Sequence, residues 1–188
     1  MSDVVGAIIA FTLSNFTLTF LVLGIVGAVV VIAVRRPGRH GAIVALLNWF
    51  LFFAIGVTYV FNGVMHTVFG DMSAAMIGWE QSPFQAEVGF ASIGVGIVGF
   101  MAAPSRAPFS LKLAALVGPA CFLWGAAGTH IVDIVTTGNL SPHNAGVILY
   151  TDILVPVLGF ALWGLAVGTR RTAPARPGAA VPSVAADA

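Results

Sequence analysis

The chain has 188 residues, of which 59% are hydrophobic and only 8% charged, with a net charge of +1 and a mean hydropathy of +1.00. Soluble domains carry about 25% charged residues, so this composition excludes a soluble globular protein. It marks an all-α, polytopic membrane helical bundle whose first partner is the lipid bilayer. The small net charge gives no reason to expect nucleic-acid binding, and the lone Cys121 excludes an intramolecular disulfide or a cysteine-based zinc site.

Five apolar runs predict five transmembrane helices. The first, Val4 to Val34, exceeds the ~20 residues that cross a bilayer, so it tilts or projects. No basic stretch precedes it, so no cleaved signal peptide is expected. The basic turn Arg35-Arg36-Pro37-Gly38-Arg39-His40 follows. The second run, Ile43 to Phe69, carries Tyr59, Asn62 and His66 at i, i+3 and i+7, a polar stripe on one face. Gly70 to Gln81 is too short and polar to span, and reads as an interfacial helix with Trp79 at headgroup level.

Trp79 to Gly89, W-E-Q-S-P-F-Q-A-E-V-G, brings Glu80 and Glu87 to the mouth of the third span, Pro83 to about Ala103. Ser82 suits the N-cap, Pro83 the first helical position, and Gln85 completes a capping box. Val88 to Met101 carries no charge, so Glu87 requires a partner or a proton. Gly89, Ser92, Gly96, Gly99 and Ala103 form a stripe of small residues on which another helix can pack closely.

A turn, Pro104 to Ser110, leads to the fourth span, Leu111 to Thr136, which ends with His130 and Asp133 one turn apart. Ser141-Pro142-His143-Asn144 is a second Ser-Pro helix start. It opens the fifth span, which runs to about Val167 with Asp152 inside and Pro156 as an expected kink. Residues 1–169 thus form one transmembrane domain, and residues 170–188 an Ala/Pro-rich, disordered cytoplasmic tail.

The basic residues Arg35, Arg36, Arg39, Arg106, Lys112, Arg170, Arg171 and Arg176 all fall at one end of these spans. The positive-inside rule then puts the N-terminus outside and the C-terminus inside, in a multi-pass protein of the cytoplasmic (plasma) membrane, a bacterial inner membrane. Span two, turn, S-P-F-Q and span three also resemble span four, turn, S-P-H-N and span five. Each first helix ends near a histidine, His66 or His130, and V-G-F at Val98 to Phe100 parallels L-G-F at Leu158 to Phe160. The pattern suggests parallel duplication of a two-helix hairpin.

On this frame, ionisable groups from four spans converge at the outer end. His66, Glu87, His130 and Asp133 are the candidate ligands of a transition metal, copper, iron or zinc, with Glu80, His143, Asn144 and Asp152 as further members. Two histidines on different helices can also hold a haem axially. The chain would then be a redox or accessory subunit. The alternatives are a proton- or ion-coupled carrier, with Asp152 as its titrating group, and a non-catalytic assembly subunit of a homo-oligomer or larger membrane complex. In that last case the polar residues are interhelical glue, worth about 0.6–2 kcal/mol per pair.

M-H-T-V-F-G-D together with I-G-W-E-Q-S-P-F-Q-A-E-V-G-F resembles an uncharacterised family of small bacterial integral membrane proteins, a likeness that covers spans two and three and implies no activity. The stretch from His130 to His143, ending in S-P-H, is similar to the metal-binding stretch of the C subunit of particulate methane and ammonia monooxygenases. There an Asp one turn before the first His completes a copper site, and here that position is Ala126.

Overall fold

A computed structural model describes residues 11–171, together with Val4 and Gly6. The chain folds as helix α1 (Phe16–Arg35), α2 (Arg39–Val68), the short α3 (Gly70–Ile77), α4 (Phe84–Ala102), α5 (Phe109–Thr137), a single turn α6 (Pro142–Ala145) and α7 (Val147–Arg171). Five segments are long and apolar enough to cross a membrane: α1, α2, α4, α5, and α6 with α7. Among the described residues there is no strand, so the fold is all-α. The beginning of the first apolar run and the tail residues 172–188, expected to be disordered, lie outside the described residues. Arg170 and Arg171 belong to α7.

The two ends of the bundle differ in chemistry. At the basic end, His40 Nδ1 bonds Thr169 Oγ1 at 3.0 Å, Trp163 Nε1 donates to the Phe109 carbonyl at 2.9 Å, and the Arg170 guanidinium lies 5.7 Å over the Phe109 ring. Lys112 is 1% exposed. Its ammonium donates to Asn48 Oδ1 and the Ala102 carbonyl at 2.7 Å, and to the Pro104 carbonyl at 3.0 Å. It thereby satisfies the Ala102 carbonyl, which the C-terminus of α4 leaves without a helical donor, and ties α2, α4 and α5 together. Next to this end Leu47, Phe50, Leu51, Ala54, Ile55, Leu116, Leu123 and Val155 form one hydrophobic cluster.

The small-residue stripe of α4 packs against α2. A Cβ on Gly96 would lie 2.8 Å from the Gly56 carbonyl oxygen, and one on Gly99 2.8 Å from the Gly56 amide nitrogen. These are backbone atoms and cannot move aside. Gly56 lies in Leu51–Val57, a π-helical stretch of α2. Such a stretch changes the register of the turns that follow it, and the turns that follow carry Tyr59, Asn62 and His66.

Candidate ligand cavity

At the end away from the basic loops, the helices part around a cavity of about 370 Å³. The expected α2 stripe lines it, with Tyr59, Asn62 and His66 all on its wall. From α5 come Phe122, Ala126, Thr129 and His130, from α7 Asp152, from α1 Phe16 and Thr17, and from the connecting segments Trp79, Glu80 and His143. Most of the remaining wall is apolar.

Each of the two central histidines is held by a side-chain amide. His66 Nδ1 pairs with Gln85 Oε1, and His130 Nδ1 with Asn144 Oδ1 at 2.6 Å. Gln85 is the fourth residue of S-P-F-Q and Asn144 the fourth of S-P-H-N, so the pairs occupy matching steps of the two hairpins. Neither motif caps its helix with a side chain. Gln85 bonds the half-buried His66 imidazole instead of returning to Ser82. The expected capping box is therefore absent.

Asn144 fixes the chemistry of His130. Its Nδ2 donates to the Asn139 carbonyl at 2.8 Å. That leaves Oδ1 as an acceptor, so the His130 Nδ1–H donates, and in the neutral ring Nε2 carries the lone pair. His130 Nε2 faces Asp152 Oδ2 at 3.9 Å, too long for a direct hydrogen bond. Asp152 is 3% exposed and makes no hydrogen bond through its carboxylate to any described residue. Pro156, one turn further along α7, supplies no N–H for the Asp152 carbonyl either. Two acceptors thus stand side by side on the cavity wall with no protein donor between them.

Trp79 is positioned as well. Its indole stacks on the His130 ring, with centroids 5.4 Å apart and planes at 26°. Its Nε1 donates to Asp133 Oδ2 at 2.9 Å, and Asp133 also accepts from Asn139 Nδ2 at 2.7 Å and Thr137 Oγ1 at 3.0 Å. Gly78, with φ +84°, makes the turn that swings Trp79 inward. A Cβ there would lie 2.6 Å from Ser141 Oγ.

The structure sorts the expected site residues into distinct places. His66, His130, His143, Glu80 and Asp152 line the cavity, Asn144 braces His130, and Asp133 holds Trp79. Glu87 is exposed and does not line the cavity. Among the described residues no three His, Cys, Asp or Glu side chains come together around one point where an ion could sit. The set His66, Glu87, His130 and Asp133 is therefore not gathered into one coordination sphere. Ala126, His130 and His143, the positions of the monooxygenase-like stretch, all line the cavity, but Ala126 offers only a methyl group. Sequence reasoning missed Gln85 as a histidine partner and Trp79 as a cover for His130. The signal for the first was present, an amide side chain at the same place after both Ser-Pro steps.

No curated protein and no solved structure matches the chain. The model of the family of unknown function DUF6790 matches residues 14–172, which include all five candidate spans and the histidine, amide and carboxylate groups of the cavity, and the chain belongs to that family.

Proposed function

We propose that this multi-pass membrane protein binds a small, largely apolar organic molecule in the cavity, with His130 and Asp152 as the polar anchor. The observation that carries this reading is Asp152. A carboxylate buried inside a membrane bundle requires a partner or a proton, and its protein neighbours leave the partner's place open toward the cavity. The size of the cavity is in keeping, since small-molecule sites run from about 300 to 1,000 Å³ with mostly apolar walls and a few convergent polar groups. An organic ligand suits these walls better than a single ion held by scattered donors.

The hydrophobic cluster next to the basic end favours a closed binding site over a conduit. The separation of charge supports an orientation in which the cavity opens on the side opposite the positive loops.

The test is native mass spectrometry of protein extracted from the membranes in which it is made. Ala126 lines the cavity and is half-buried, so Ala126→Phe fills the space while leaving the His130 and Asp152 side chains in the chain. Wild type is expected to carry a small organic molecule that Ala126→Phe lacks, with annular lipid the same on both. A wild type that carries nothing beyond what is found on Ala126→Phe contradicts the reading.

A further inference from the structure

We propose that the ligand is an organic cation, a protonated amine on an apolar body, whose ammonium sits between His130 Nε2 and Asp152 Oδ2. This rests on the cavity being a binding site and adds the chemical class of its occupant. The two facing atoms lie 3.9 Å apart, and with the Nδ1–H of His130 donating to Asn144, a neutral His130 ring and an ionised Asp152 present two acceptors. One nitrogen can lie within ordinary hydrogen-bond distance of each, about 2.7–3.0 Å, and donate to both.

The surrounding charge points the same way. The titratable groups on the cavity wall are the carboxylates Asp152 and Glu80, the imidazoles His66, His130 and His143, and the Tyr59 phenol, whose O–H is spent on the Pro119 carbonyl at 3.3 Å. Among the described residues neither lysine nor arginine is on this wall, so none of them competes as a fixed cation for Asp152. An anionic ligand would meet two carboxylates and no permanent positive charge. Metal cations such as Na⁺, Mg²⁺ or Ca²⁺ need several oxygen ligands around one point, and among the described residues no three His, Cys, Asp or Glu side chains gather so.

Aromatic rings complete the case. Phe16, Phe61, Trp79 and Phe122 line the cavity together with Tyr59. Aromatic faces attract cations and pack an apolar body, and the Trp79 indole stacked on His130 sets one such ring beside the anchor. A buried carboxylate, a neutral imidazole acceptor and an aromatic wall together select a cation that is apolar elsewhere.

The test uses four probes of one shape on the full-length protein in lipid nanodiscs: 2-phenylethylamine, its neutral analogue 2-phenylethanol, the anion 3-phenylpropionate, and the quaternary phenethyltrimethylammonium. Binding is read by quenching of tryptophan fluorescence and by thermal shift. The primary amine is expected to bind about tenfold or more tightly than the alcohol, the acid not at all, and the quaternary ion more weakly than the primary amine because it has no N–H to share. Asp152→Asn should remove the preference for amine over alcohol. The wild-type comparison of amine with alcohol needs no variant, so the proposal stays testable if Asp152→Asn does not fold. Equal binding of amine and alcohol, both lost in Ala126→Phe, overturns the cation while leaving the cavity reading intact. Binding that Ala126→Phe does not change overturns both. A quaternary ion that binds as tightly as the primary amine overturns the bridging hydrogen bonds.

Discussion

Replacing Lys112 by methionine is expected to cost more folded protein than any other single change at the basic end. Methionine has a similar length and fits a buried channel, so the test isolates the ammonium. Its loss leaves Asn48 Oδ1 and the Ala102 carbonyl without their donor, while the Pro104 carbonyl keeps the Ala107 N–H, and each buried polar group so stranded costs about 1–3 kcal/mol. A membrane interior offers little water to replace it. Arg106→Met is the control, since Arg106 is exposed in the neighbouring turn and removes the same charge. Size-exclusion profiles after a heating series should show Lys112→Met aggregating well below wild type and Arg106→Met close to it. Equal behaviour of the two would make Lys112 a topological charge and nothing more.

The second large effect is expected at the contact of α4 with α2. Gly96→Leu puts a branched side chain where even a Cβ would meet the Gly56 carbonyl at 2.8 Å and the Val60 side chain at 2.8 Å. Overpacking costs about 1–3 kcal/mol where side chains can yield, and here a backbone oxygen cannot. The helices must separate, and with them the turns that carry Asn62 and its 3.0 Å bond to Ser92. Gly94→Leu, on a face with nothing within 4 Å, is the control. The melting temperature should fall sharply for the first variant and little for the second. Val95 is a poorer control, because it packs against the core.

Much of this architecture was legible in the sequence. Apolar runs longer than a bilayer leave few alternatives to spanning helices, and both ends of the bundle were visible as the separation of Lys and Arg from the other ionisable groups. The Tyr59, Asn62 and His66 stripe and the small-residue stripe of α4 follow from helical periodicity, and both face where it puts them. Glu87 was misjudged for a reason the same periodicity contains. Gln85, Gly89, Ser92 and Gly96 recur at four, three and four residues, which defines the inward face of α4. Glu87 lies two residues from both Gln85 and Gly89, on the opposite side, so an acid near a helix start was free to face outward.

Other features depended on tertiary contacts that no local pattern carries. Gln85 looked like a capping residue because the S-P-F-Q step resembles a helix start, and Asn144 like a further site member, yet the imidazoles of His66 and His130 take the two amides. Asp133 and His130, one turn apart on α5, suggested a shared ligand. The indole of Trp79, brought over by the turn at Gly78, takes the Asp133 carboxylate instead. Lys112 read as one more charge at the basic end of its span because its burial depends on α2 and α4 closing over it.

The melting temperature of Asp152→Asn in ligand-free protein tests the central claim most directly. If Asp152 is kept for a ligand, the empty protein bears a buried acid, ionised or protonated, with no protein hydrogen bond to offset its desolvation. Asparagine keeps the shape, removes the charge and can donate to the His130 Nε2 lone pair. The account predicts a melting temperature at or above that of wild type, together with loss of ligand binding, the trade of stability for function that binding sites show. A fall of several degrees would contradict it, since the carboxylate would then be a structural partner of His130 and not an anchor awaiting a ligand.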